Sequence, residues 1–409
     1  MSMDLKARLG RYRDNRKLPA STTEEIMPRQ TFDSRTTEEG KGSWPDWTEA
    51  GFKTLKREVL LELKTPLPEA FPSALPIVVP DLLRTRRNRL FEDLLFFDLE
   101  TTGLSGGAGT IAFLAAFGRF VKPDISGKTS VNTGTVNILI TQYLLLDYPG
   151  ESDFIERVVG EFAAPPPLVV TYNGKCFDSQ ILKNRCLMNG MTPPEYFHAD
   201  LLHPSRRLWK RMLPDCSQAT IEVSVLGLDR TGDVPGAMAP EIWFSFLQSG
   251  DNSELLAICD HNVRDITGLA SLFLALNEIA ADPLESFDRF HFDREAIAFL
   301  WRSSIRRNPQ LFGDEEKMTG EALLRNAARN GSPLAALILA KDAEWRLKNY
   351  ELALEYTNLA LASQEISEEL REDFKRRRIR LENKRKMKNE TTEGTEYNTE
   401  EKKKIRPPI

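Results

Sequence analysis

A chain of 409 residues exceeds the usual domain size of about 100 to 200 residues, so two or three folding units are expected. Its net charge of -5 excludes a generally basic nucleic-acid binder and confines any phosphate affinity to local patches. Four widely spaced cysteines, Cys176, Cys186, Cys216 and Cys259, form no CxxC pair and read as reduced thiols. With no apolar leader and no run of about 18 apolar residues, they predict an unexported, cytoplasmic protein without a membrane partner.

Residues 1–43 are polar and charged and predict a disordered arm. The segment 44–85 carries Trp47, Phe52 and a VLLEL run, then Pro66, Pro68, Pro72, Pro76 and Pro80, which disfavour continuous helix; it reads as an accessory layer before the main domain. From 86 to 282 the pattern is α/β. LLFFDLE (94–100), TIAFLAAFGRF (110–120) and TVNILITQYLLL (135–146) are strands joined by connections too short for parallel crossovers, hence an antiparallel meander. A helix near 151–163, strand LVVTY (168–172), a helix near 177–189 and strand FHADLL (197–202) then alternate, which predicts parallel strands added through helices. The expected fold is a mixed sheet flanked by helices. After about residue 283 strand signals stop, and 283–388 reads as an all-α region. Within it, residues 333–362 resemble one tetratricopeptide repeat, with Tyr350, Ala353 and Ala360 in matching places. The charged segment 389–409 predicts a disordered tail.

Residues two apart in a strand share a face, so Asp98 and Glu100 project together from an otherwise apolar segment. At about 4 Å two such charges repel by roughly 4 kcal/mol at an effective dielectric of 20. A divalent cation would turn that repulsion into attraction, while a strand end where both acids reach water would equally tolerate them. Asp178 follows TYNGKCF at the start of a helix, where an acid is also a common cap or first-turn residue. His261 and Asp265 lie four apart on a helix near 254–279, on a stripe continuing through Gly268 and Leu272. An acid on such a stripe needs a metal or a partner, and a His261–Asp265 hydrogen bond would also serve.

FDLETTGL, NGKCFD and HNVRD match, in order, the three motifs of the DEDD exonuclease superfamily. GGAGTIAFL, LPDCSQATIE, GDVPGAMAPEIWF and HADLLHPSRRLW further resemble its YprB-like predicted exonucleases, over about residues 91–276. The resemblance implies a ribonuclease H-like fold and a 3′→5′ exonuclease that hydrolyses phosphodiester bonds of DNA or RNA with two Mg²⁺ or Mn²⁺ ions. It puts Asp98, Glu100, Asp178 and Asp265 in the metal-ligand places and His261 in that of the water-orienting residue. In the better-known branches that place holds Tyr with three residues before the Asp, or His with four; here it is His with three. Oxygen-only ligands favour hard cations over zinc.

Thr101, Asn173, Lys175, Asp200, Arg206 and Arg207 are candidate substrate-contacting residues around these motifs. The last two belong to a basic cluster that reads equally as a phosphate site or a solvated helix face, as does RTRRNR at 84–89. Gly107, Gly109 and Ala112 fit a degenerate GxGxxA fingerprint, but the acids before it would repel a pyrophosphate. Two other readings stay open. One is a catalytically silent nucleic-acid-binding module, and the other a scaffold whose helical region binds a protein, by family analogy a helicase or repair factor.

Overall fold

The computed structural model describes residues 43–65, 67–68, 70–84, 91–103, 109–121, 135–163 and 167–404. The arm expected at 1–43 falls outside these residues apart from its last one, as do most of RTRRNR and Gly107. The chain divides into two compact units, Met1–His291 and Phe292–Ile409.

The first unit is built on seven strands: β1 (Trp47–Gly51), β2 (Thr54–Leu63), β3 (Leu94–Thr101), β4 (Ala112–Val121), β5 (Val136–Leu145), β6 (Leu168–Thr171) and β7 (Phe197–Asp200). They lie in one sheet, ordered β1-β2-β5-β4-β3-β6-β7. As the connection lengths predict, β3, β4 and β5 form an antiparallel meander, and β6 and β7 join in parallel beside β3. The crossovers are α2 (Glu151–Gly160) and α3 (Asp178–Met188), which follow the short α1 (Leu75–Val78) in the proline-rich stretch. Proline is tolerated in α1 because it sits in the first turn, where no amide donor is needed. Ala112 opens a strand, not a helix, so the GxGxxA reading fails.

One expectation is corrected. Residues 44–85 are not a separate layer, because β2 pairs with β5 from Thr54↔Leu145 to Leu63↔Val136 and β1 pairs with β2. The alternating exposure of β2 is that of a half-covered antiparallel strand, and with Glu and Lys between its leucines it reads from sequence as isolated and amphipathic. A chain beginning at residue 86 would turn β5, with Ile138, Ile140 and Leu144 fully buried, into an open edge. We expect a chain of 44–291 to be soluble with a cooperative melt and one of 86–291 to aggregate. Equal solubility and melting in gel filtration and calorimetry would contradict this.

Helices α4 (Leu202–Trp209), α5 (Gln218–Ser224), α6 (Ala239–Ser249), α7 (Ser253–Ala281) and α8 (Phe287–Phe290) complete the unit. The long α7 packs on β3, β4 and β5, its face set by Ile266, Leu269 and Phe273. Strand alternation then divides β3. Leu95, Phe97 and Leu99 enter the core on one side, where Phe97 stacks on Phe117 at 5.1 Å. Phe96 meets Phe273 of α7 on the other, which is the side Asp98 and Glu100 share.

The second unit is a succession of helices, α9 (Arg294–Arg307), α10 (Asp314–Arg329), α11 (Pro333–Trp345), α12 (Tyr350–Ala362) and α13 (Glu368–Lys404), each packed on the next. The disordered tail expected from 389 is instead helical through Lys404. Residues 368–404 are rich in Glu, Lys and Arg and hold no proline before Pro407. High helix propensity thus outweighs the charge that suggested disorder. Among the described residues no helix is long and apolar enough to cross a membrane.

Candidate active site

Asp98 and Glu100 leave β3 towards α7, where the buried Asn262 donates from Nδ2 to Asp98 Oδ2 at 2.7 Å. Glu100 is buried, and ligand atoms of Glu100, His261 and Asp265 all lie within 4.8 Å of one another. Asp178 is the first residue of α3, and no side chain caps that helix. It is buried rather than spent on a solvent-facing cap. The four carboxylates share one electrostatic environment. Burial, then Asp178 and Asp265, hold the Asp98 carboxyl well above the usual range. Burial, then Asp98, Asp265 and Asp178, do the same to Glu100.

Burial, followed by Asp200, raises Asp178 from 3.8 to about 7. An acid raised in this way binds its proton more tightly in the folded than in the unfolded chain, so its contribution to stability is lost as pH rises from about 4 to about 7. The metal-free protein should therefore melt progressively lower across that window, by more than Asp178→Asn does, and a divalent cation should remove the difference. Parallel slopes for wild type and variant would show that Asp178 is not a crowded, uncompensated acid.

Beside these acids lies a second network. Arg230 donates from Nε to Glu222 Oε2 at 2.6 Å and from Nη1 to Asp233 Oδ2 at 2.7 Å, and its Nη2 pairs with Asp265 and Glu222. The guanidinium is almost fully buried, so its three carboxylate partners are what make burial tolerable. Glu222 enters because α7 has Gly268 opposite it, where a Cβ would overlap the carboxylate. His261 stands between two acids, with Nδ1 2.9 Å from Asp233 Oδ2 and Nε2 3.3 Å from Asp265 Oδ2. Burial alone would lower its pKa, but Asp265 and Asp233 outweigh it and the net shift is upward. Gly236 closes the site, for a Cβ there would sit 3.1 Å from His261 Nε2 and 3.9 Å from Glu100 Oε1.

The donor set suits a divalent cation: an oxygen-rich group, with further carboxylates around it whose raised pKa values mark negative charge short of compensation. His261 adds a nitrogen to the all-carboxylate set that the motifs imply.

The sequence of residues 95–277, which contains every one of these groups, matches the RNase_H superfamily model. Residues 95–277 are an RNase H superfamily domain. The uncharacterized protein YprB of Bacillus subtilis (strain 168) is 35% identical over 189 residues, which span 46% of this chain and 42% of that protein. The chain therefore covers under half the length of the curated relative it matches. Among solved structures, similarity extends to Escherichia coli Exonuclease I in complex with a dT13 oligonucleotide, at 13% identity over 70% of this chain and 90% of that one (TM-score 0.26). It extends also to the family B DNA polymerase of Pyrobaculum calidifontis, at 14% identity over 52% and 29% (TM-score 0.31).

Around the RNase H site, the expected substrate-contacting residues divide. Asn173 is exposed, with a left-handed φ of 67°, in a turn where Gly174 is required because a Cβ would meet Thr171 at 2.6 Å. Asp200 is engaged within the protein: its carboxylate accepts from the amides of Asn173 (2.8 Å), Lys175 (3.1 Å) and Leu202 (3.1 Å). It holds the turn before Asp178 and has little capacity left for a ligand. Lys175 is likewise tied down, its Nζ 2.5 Å from Asp81 Oδ1. Thr101 is buried and donates to the Gly103 carbonyl at 3.0 Å. Arg206 and Arg207 are exposed on α4.

Sequence reasoning missed Asn262, Glu222, Arg230 and Asp233. Asn262 had a signal, since it falls four before Ile266 and seven before Leu269 on the buried face of α7. It also belongs to a longer path. Gln142 Nε2 donates to Asn262 Oδ1 at 2.9 Å and to the Cys259 carbonyl at 2.8 Å. Arg57 of β2 donates to Gln142 Oε1 from Nε (3.0 Å) and Nη2 (2.7 Å) and pairs with Asp260 at 3.0 Å.

Proposed function

We propose that this chain is a divalent-metal-dependent nuclease that removes nucleotides from the 3′ end of DNA or RNA. The observation that carries the reading is the convergence of Glu100, His261 and Asp265 within 4.8 Å, among acids already raised by crowding. Asp98, Glu100, Asp178 and Asp265 would hold Mg²⁺ or Mn²⁺, two ions in the family pattern. The cations would supply positive charge against the developing charge on the phosphate and acidify the attacking water.

The chain's own groups do the rest. Asp233 accepts from His261 Nδ1 and fixes the imidazole with Nε2 facing Glu100 and Asp265. Nε2 takes the proton that the attacking water loses as its oxygen bonds to phosphorus; the P–O3′ bond breaks, and the departing O3′ takes a proton from solvent to become the new 3′-hydroxyl. The imidazolium so formed lies between two carboxylates, which stabilise it. Arg230 holds Asp265 from the far side and keeps that carboxylate from swinging out of the site. Cleavage from the 3′ end and release of nucleoside monophosphates rest on the motif resemblance.

Incubation with end-labelled single- and double-stranded DNA and RNA, with Mg²⁺, Mn²⁺ or chelator, tests the reading, and a ladder shrinking from the 3′ end only with metal is expected. One observation favours a second reading, a silent nucleic-acid-binding module: Arg230 already neutralises Asp265. Metal-independent binding without products on any of the four substrates would select it.

A further inference from the structure

The second unit carries a concentration of positive charge that the RNase H site does not use. Between Lys375 and Lys388, α13 holds Lys375, Arg376, Arg377, Arg378, Arg380, Lys384, Arg385, Lys386 and Lys388 against one acid, Glu382, in a chain whose net charge is -5. At 1.5 Å per residue this run is about 20 Å long. Part of it is structural. Arg377, Arg380 and Lys384 converge on Glu344 of α11, a carboxylate with no exposed surface, at 2.6, 2.9 and 2.8 Å. Three cations on one carboxylate leave a surplus of two charges at that spot, beside a ring that faces solvent.

That ring is Trp345, 57% exposed. Lys384 Nζ stands 4.4 Å and Lys348 Nζ 5.6 Å from its centroid. Tyr350 follows, with Lys384 at 5.8 Å and Lys388 at 5.7 Å from its centroid. An exposed indole with ammonium groups over its ring has the parts of a single-strand platform: a base that stacks on the ring takes the place of an ammonium group, and the displaced cations reach the neighbouring phosphates. A membrane surface fits less well. An interfacial helix presents a continuous apolar stripe to the lipid, whereas Phe374 and Leu381 of α13 are buried within the unit, and its exposed apolar side chains among the described residues, Ile379 and Met387, stand eight residues apart among cations.

We propose that the helical unit binds single-stranded nucleic acid at this corner, Trp345 stacking on a base and Lys348, Lys384 and Lys388 contacting the phosphates on either side. The surface shares no residue with the RNase H site and does not depend on its turnover.

The test uses the full chain carrying Asp98→Asn, in chelator, with a fluorescently labelled 20-nucleotide single strand followed by anisotropy. Trp345→Ala and the double substitution Lys348→Glu with Lys388→Glu should each weaken binding about tenfold or more, the loss of one stacked base or two phosphate contacts. The double variant should also lower the slope of log K against log salt by about 1.4. Trp345→Phe, which keeps a stacking face, should bind nearly as wild type and shows that loss in Trp345→Ala is not misfolding. In the active background, hydrolysis of a trinucleotide should be unchanged by the double substitution. Wild-type affinity in both weakening variants would overturn the proposal, as would polyglutamate or anionic vesicles displacing the strand while unlabelled strand does not. A wild-type chain that hydrolyses nothing, yet shows these affinity losses, would refute the nuclease reading and leave this one standing.

Discussion

Asp98→Asn should lower turnover by at least about 10²-fold, the cost of one preorganised charge-stabilising group, while the metal-free protein melts as high as wild type or higher. Burial, Asp178 and Asp265 all disfavour the ionised Asp98 carboxyl, so removing its charge relieves the fold. Asparagine can still accept the bond from Asn262 Nδ2. Asp265→Asn should be equally inactive but melt lower. It withdraws a partner from the buried Arg230, leaving only Glu222 and Asp233 to compensate the guanidinium. A loss of about 1 to 3 kcal/mol is reasonable for a charged hydrogen bond broken in the interior, roughly 2 to 10 °C for a unit of this size. Calorimetry in chelator decides the split. If Asp98→Asn unfolds the metal-free protein as Asp265→Asn does, Asp98 is a structural acid.

His261→Ala should lower kcat by at least about 10²-fold, the usual worth of a positioned base, while metal still raises the melting temperature. The wild-type rate should climb with pH as the imidazole loses its proton. Asp265 and Asp233 together overcome the effect of burial, so this limb should lie above the ordinary imidazole range. Asp233→Asn should then shift the limb to lower pH without abolishing turnover, because the imidazolium loses one of its two stabilising carboxylates. The ligand role open to His261 makes the opposite forecast: metal-dependent stabilisation would vanish in His261→Ala, and the pH limb would not track Asp233. Near-normal turnover by the folded variant would remove His261 from the mechanism.

The mixed sheet was legible because its signals are local: short loops demand antiparallel neighbours, and interposed helices demand parallel ones. The same local logic put Asp98 and Glu100 on one face of β3, and His261 and Asp265 one turn apart on α7. It could not show the pairing of β2 with β5, which joins Thr54 to Leu145 across 91 residues of chain. Nor could it find Arg230, which lies in a loop with no periodicity. Its role comes from Glu222, Asp233 and Asp265, which only tertiary structure brings together. Asp200 reads from sequence as a substrate contact because it is a strand-end acid near a motif, and only the positions of three backbone amides show that its carboxylate is engaged within the protein.

The hydrogen-bonded path from Arg57 through Gln142 and Asn262 to Asp98 bears on how such a chain can diverge. Each member satisfies its neighbour inside the protein, so replacing one strands a polar atom on the next, at a cost of about 1 to 3 kcal/mol. Replacing several at once with apolar groups of matching shape can cost far less. Accepted changes at positions 57, 142 and 262 should therefore arrive as sets, and a single substitution on β2 would act as a lesion in the candidate metal site without touching it.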